Sequence, residues 1–174
     1  MRIAPYAAVG LALCCAACAS TGATPRPFPM PPDRRMPVES PEGRIGSAID
    51  GYALVGTALQ LRGVSYKNGG SDPSGFDCSG FTQYVFGRYG VSLPRAAQDQ
   101  YNTGEPVKRD QLAPGDLIFF TTTAPGASHV AIAIGGGDQF VHAPSSTGVV
   151  RVERLSASYW AARFVGARRV IAGE

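Results

Sequence analysis

The hydrophobic period of this 174-residue chain changes once, at Pro114-Gly115, and that change limits the folds open to it. Upstream, Ile45, Ile49, Tyr52, Val55 and Leu59 recur at three- and four-residue spacing and predict an amphipathic helix over 45–62. After Asp77, the residues Phe81, Tyr84, Val85 and Tyr89 share one side of a second helix that Gly90 would stop. Ala96 to Tyr101 predict a short third helix. Downstream, period-two patterns and short apolar runs predict five strands, at 116–122, 129–134, 139–143, 149–155 and 163–171. Their connections are short and rich in Gly, Pro, Ser and Asp, which suits antiparallel hairpins and leaves no room for crossover helices. Helices followed by strands predict an α+β domain, with the helices packed on one face of a sheet or small barrel.

The residues before position 44 belong to no such pattern. Arg2 followed by the apolar stretch Ala7–Ala17 predicts an export signal over 1–17. Its small residues Ala16 and Ala17 stand directly before Cys18, as in bacterial lipoprotein signals, so Cys18 is the expected lipid carrier. Ala19 rather than Asp follows it, which resembles sorting to the inner leaflet of an outer membrane facing the periplasm. Seven of the fourteen prolines fall between Thr24 and Pro41, a composition that favours extended chain and predicts a tether over 18–43. The folded domain is therefore expected over 44–174.

Composition narrows the function. At 44% hydrophobic residues the chain is not a disordered one, and no run of 18 or more apolar residues predicts a permanent membrane span. The net charge of +3 is interspersed rather than gathered into a basic stripe, which argues against a nucleic-acid partner. Four cysteines suggest a disulfide framework, but Cys14, Cys15 and Cys18 crowd the signal and leave Cys78 as the one thiol of the domain.

Cys78 stands in Phe76-Asp77-Cys78-Ser79-Gly80, at the predicted start of a helix and after the glycine-rich stretch 69–75. Unpaired N–H groups and the helix dipole favour a thiolate there, so a lowered pKa and a nucleophile are expected, with Asp77 as the helix cap. If Gly135-Gly136-Gly137-Asp138 is a four-residue hairpin loop, Ile134 faces Gln139, Ala133 faces Phe140, Ile132 faces Val141 and Ala131 faces His142. Alternation of side chains then puts His129 and His142 on one face as diagonal neighbours. The small Ala131 and Ala133 beside them leave space for a helix end to approach. His129 would take the Cys78 proton, His142 would orient His129, and the Cys78 backbone N–H would help hold an oxyanion. A metal site of Cys78, His129 and His142 is the competing chemistry, though none of the three has a ligand partner two to four residues away. No cofactor is expected.

Phe76-Asp77-Cys78-Ser79-Gly80-Phe81, Leu93-Pro94-Arg95, Pro114–Phe120, Ser128–Ile132, Phe140–Ala143, Tyr159-Trp160 and Arg163–Arg169 occur in the order found in NlpC-type cysteine peptidases, which this sequence resembles over about 45–171. The resemblance implies a reduced papain-like fold, with the nucleophile at a helix N-terminus packed on a five- to six-stranded antiparallel sheet. It implies Cys78 as nucleophile, His129 as base and His142 as the orienting residue. It also implies Tyr66 beside the oxyanion, and Asp77 and Ser79 as contacts to the substrate. The implied substrates are peptide stems of bacterial peptidoglycan, cut between D-γ-glutamate and meso-diaminopimelate, and the alternatives are a silent wall-binding lipoprotein or a related thiol amidase or acyltransferase. An activator or adaptor is not identified by the sequence. One departure is Tyr66-Lys67-Asn68-Gly69-Gly70, where the family often carries a Trp before the glycines.

Overall fold

The computed structural model describes residues 49–171; the expected export signal, the expected lipid carrier Cys18, the expected proline-rich tether and the expected boundary at Arg44 lie outside the described residues. Asp50 sets the start of α1 (Gly51–Gln60) by accepting the Tyr52 N–H at 2.8 Å, and Ile49 before it packs on the core that takes up Leu54. The helix therefore begins later than its apolar spacing suggested, because Ile49 and Asp50 belong to the cap. It buries Leu54, Val55 and Ala58, whereas Tyr52, expected on the apolar side, is 72% exposed.

Asp77 caps α2 (Cys78–Gly87) in the same way, accepting the Gly80 N–H at 2.7 Å. Phe81, Val85 and Phe86 on this helix are fully buried. Past its end, Gly90 adopts φ +78° and the Val91 N–H returns to the Phe86 carbonyl, which turns the chain away. Just upstream, the two-residue strands β1 (Ser71–Asp72) and β2 (Gly75–Phe76) form a hairpin that carries the glycine-rich stretch against the start of α2. α3 (Ala97–Tyr101) lies where expected, with Ala96 in the cap position.

The approach of α2 to this loop requires glycine at position 80. A Cβ there would lie 2.0 Å from the Gly70 carbonyl oxygen, which already accepts the Asp77 N–H. Gly80→Ala is expected to destabilise the protein by about 2 kcal/mol or more, the steric cost exceeding the roughly 1 kcal/mol gained in helix propensity. Gly87→Ala, at a position where a Cβ meets nothing within 4 Å, is expected to stabilise by about 0.5–1 kcal/mol. Denaturant midpoints of the two variants should move in opposite directions.

The remaining strands form one antiparallel sheet. They are β3 (Glu105–Val107), β4 (Leu117–Phe120), β5 (His129–Gly135), β6 (Gln139–His142), β7 (Arg151–Arg154) and β8 (Phe164–Arg169), in the order β3-β8-β4-β5-β6-β7. The five expected strands are present within two residues at either end, and β3 is a sixth that pairs with the far edge of β8. The connection between β5 and β6 differs from the four-residue loop expected. Ala133 pairs with Phe140 but Gly135 pairs with Gln139, so Ile134 is an extra, bulged residue and the loop shortens to 136–138. The bulge and the shorter loop offset one another in parity, and Ile132 faces Val141 as expected.

Alternation divides the interior into two layers. Leu117, Phe119, Val130, Ile132 and Val141 face α1, α2 and α3. Ile118, Phe120, Ala131, Ala133 and Phe140 face the other way, under Leu155 and the Trp160 side chain of α4 (Ser158–Ala161). α1, α2 and α3 cover one face as expected, the four-residue α4 lays Trp160 on the other, and the space beside Ala131 and Ala133 is filled by aromatic rings rather than by a helix end. Burying each of Phe76, Phe81, Phe86, Phe119, Phe120 and Phe140 contributes roughly 1.5–3 kcal/mol.

Candidate active site

Cys78 is the first residue of α2, so its position is fixed by the Asp77 cap and by the loop packed under Gly80. The backbone N–H groups of Val130, Ser79 and Cys78 itself point at the sulfur and favour a thiolate. They do not prevail. Burial pushes the thiol pKa up, the Asp77 carboxylate adds to the rise, and the net shift is upward from the ordinary value. The lowered pKa expected from the helix start is thereby corrected: desolvation outweighs the helix N-terminus, and the resting sulfur carries its proton.

The two histidines meet as the alternation of strands required. His129 opens β5 and His142 closes β6, and His129 Nε2 lies 2.8 Å from His142 Nδ1, with the rings at 86°. Trp160 stacks on His129 at 5.5 Å between centroids and meets His142 edge-on at 5.0 Å. This indole therefore forms a wall of the histidine pair. Burial lowers the His129 pKa to about 4, and burial with the neighbouring His129 and Arg151 charges lowers that of His142 to about 2. Both imidazoles are therefore neutral at pH 7, and one ring proton lies between Nε2 and Nδ1. The backbone joins this pair to Cys78, since Val130, whose N–H reaches the sulfur, directly follows His129.

Tyr66, Asp77 and Ser79 gather at the same place. Burial and the Cys78 and Asp77 charges raise the Tyr66 pKa, while Arg95 opposes them, so the phenol shares the electrostatic environment of the sulfur. Asp77 is heavily engaged: its carboxylate accepts from the Gly80 N–H, from the Gly69 N–H at 3.0 Å and from both terminal nitrogens of Arg95, at 2.9 and 2.5 Å. Arg95 Nη1 also donates to Ser79 Oγ at 2.9 Å. Behind them the fully buried Gln100 donates to the Ser79 and Pro94 carbonyls, at 3.0 and 2.8 Å, and lies 2.7 Å from the Thr82 hydroxyl. The network ties the first turn of α2 to the segment that carries Arg95.

Two charged residues of this site were not singled out from the sequence. Arg95 was visible only within Leu93-Pro94-Arg95, and its bidentate grip on Asp77 depends on a turn between α2 and α3. Glu153 lay in an ordinary polar strand pattern, yet one of its oxygens lies 3.7 Å from His142 Nε2 and the other accepts from the Trp160 indole N–H.

Known proteins resemble this chain over the span that carries the site. The model of the NlpC/P60 family matches residues 63–169, which include Tyr66, Cys78, Arg95, His129 and His142. A gamma-DL-glutamyl hydrolase of Bacillus subtilis is 44% identical over 125 residues, covering 68% of this chain and 30% of that protein. The murein DD-endopeptidase MepS/murein LD-carboxypeptidase of Escherichia coli K12 is 43% identical over 111 residues, covering 63% of this chain and 57% of that protein. The chain thus spans between about a third and somewhat more than half the length of these two curated relatives. Among solved structures, a Staphylococcus aureus protein described as similar to lipoprotein, of the NLP/P60 family, superposes with a TM-score of 0.64 at 36% identity. That superposition covers 75% of this chain and 45% of the other. A helix-borne cysteine, an antiparallel sheet bearing paired histidines and a family match across most of the domain agree with one another: the chain belongs to the NlpC/P60 family.

Proposed function

We propose that the protein is a cell-envelope cysteine endopeptidase that hydrolyses the peptide stems of bacterial peptidoglycan through an acyl-enzyme. The observation that carries this reading is a partly buried thiol at a helix start, linked through the Val130 N–H to the strand whose first residue, His129, belongs to a neutral, hydrogen-bonded imidazole pair. His129 Nε2 is occupied by His142, which leaves Nδ1 for the thiol proton. As Nδ1 takes that proton, Sγ attacks the amide carbon, and the oxyanion is held by the Cys78 N–H and the Tyr66 hydroxyl. The tetrahedral adduct collapses, the C–N bond breaks, and His129 returns the proton to the leaving amine. A water then gives a proton to His129 while its oxygen attacks the thioester carbon, releasing the acid and restoring the thiol. Arg95, Asp77 and Ser79 form one polar cluster at the start of the Cys78 helix and are suited to charged termini of a stem peptide.

The bond we favour is D-γ-glutamyl–meso-diaminopimelate. The likeness to a gamma-DL-glutamyl hydrolase supports it, and the likeness to a murein DD-endopeptidase supports the D-alanyl cross-link as the second reading. Incubation with a free L-Ala-D-γ-Glu-meso-diaminopimelate peptide and with a cross-linked dimer separates the two. Cleavage of the free peptide into L-Ala-D-Glu and diaminopimelate is the expected result; resolution of the dimer alone would favour the cross-link instead. The lipid carrier remains Cys18, which would hold the domain at the inner leaflet of the outer membrane with 18–43 as its tether.

A further inference from the structure

His142 is fully buried, and its Nε2 has no hydrogen-bond partner in the fold. A buried ring nitrogen left unpaired is costly and calls for a specific neighbour. The nearest carboxylate is Glu153, whose Oε1 lies 3.7 Å from that nitrogen. Register explains the approach: Arg151 faces His142 across β6 and β7, Glu153 faces Phe140, and Glu153 is therefore the diagonal neighbour of His142 on the same face. The carboxylate is also held in place. Its Oε2 accepts from the Trp160 indole, and its Oε1 lies 3.2 Å from Arg151 Nε.

The tautomers of the pair follow from which end is anchored. A neutral imidazole carries one N–H, so the contact between His129 Nε2 and His142 Nδ1 has two arrangements. If His142 carries its proton on Nε2, its Nδ1 accepts from His129 Nε2–H, and His129 Nδ1 is bare and able to take a proton. If His142 carries its proton on Nδ1, His129 must accept at Nε2 and bear its own proton on Nδ1, where it cannot act as a base toward the thiol. A carboxylate beside His142 Nε2 favours the first arrangement and opposes the second.

We propose that Glu153 is a fourth member of this site, a positioning residue that holds His142 in the tautomer that frees His129 Nδ1. The proposal rests on the reading of Cys78 and His129 as thiol and base, but its primary test does not need turnover. The charged and titratable groups facing Glu153 are His142 from β6, Arg151 from β7 and, one ring further, His129 from β5; Trp160 of α4 closes the remaining side. Arg151 partly offsets the Glu153 charge, so the preference is set by direction and hydrogen bonding as much as by net charge.

The test is side-chain 1H–15N correlation of the histidines in the wild-type protein near neutral pH. Protons on His142 Nε2 and His129 Nε2, with both Nδ1 atoms bare, are expected. Protons on the two Nδ1 atoms would overturn the proposal. Glu153→Gln keeps the shape and an acceptor for Trp160 while removing the charge. It is expected to lower kcat by about tenfold with KM changed less than about twofold, and to populate the second tautomer. Glu153→Asp should recover part of the rate. A folded Glu153→Gln variant with wild-type kcat and unchanged ring-nitrogen signals would refute the role. A wild-type protein with the expected tautomers but no cleavage of any stem peptide would remove the peptidase reading and leave the tautomer assignment standing.

Discussion

Lowering the pH from about 7.5 to about 4.5 is expected to remove about 5 kcal/mol of folding stability, chiefly through His129 and His142. In the unfolded chain both imidazoles protonate near the ordinary value of 6.5; in the fold, burial keeps His129 neutral to about 4 and His142 to about 2. The folded values lie below the unfolded ones. The contribution of each histidine is therefore complete well above pH 6.5 and is lost as the pH falls toward the folded value, at roughly 1.4 kcal/mol per pH unit. Losses of this size are comparable to the whole stability of a small domain, so the fold should give way in mild acid rather than only at very low pH. Denaturant midpoints across this range measure it. His142→Asn should remove about half the slope, and a flat profile would mean that the pair takes up protons without unfolding. Low values also keep His129 available as a base in weakly acidic surroundings.

The main architecture was legible in the sequence because it is written in period and spacing. Five strands, α2, α3 and the common face of His129 and His142 all follow from alternation and from the turn residues between runs. The β5–β6 hairpin shows how far such reasoning reaches. The loop length expected was off by one, and only the bulge at Ile134, invisible in an apolar run, kept the two histidines on one face. β3 escaped because it is three residues long and contains Pro106, a residue that marks edge strands and ordinarily argues against strand at all. α4 escaped because four residues carry no period.

The site divides along the same line. Cys78 and Asp77 were legible from local chemistry, since a helix cap and a glycine-rich approach are sequence features, and the histidine pair from strand alternation. The direction of the Cys78 shift was not, because burial is a property of the finished fold. Glu153 and Arg95 act through partners 11 and 18 residues away, in pairings set by strand register and by the turn after α2. Nothing in Arg151-Val152-Glu153-Arg154 distinguishes Glu153 from a solvated strand residue.

The second large effect concerns the thiol. Cys78→Ala is expected to lower kcat/KM for stem-peptide cleavage by about 10⁴-fold or more, because the acyl intermediate forms on the Cys78 sulfur and alanine has no atom to carry it. His129→Ala should cost nearly as much, and the double variant little more than either, since thiol and base act as one unit. Stability should change by less than about 1 kcal/mol in Cys78→Ala, because the Asp77 cap, the Gly80 contact and the His129–His142 bond do not involve the sulfur. The most direct measurement is the release of soluble muropeptides from purified sacculi by the wild-type and Cys78→Ala proteins, with folding of both verified by circular dichroism. The account predicts release by the wild type and none above background by the variant. Equal release by a folded Cys78→Ala protein would contradict it.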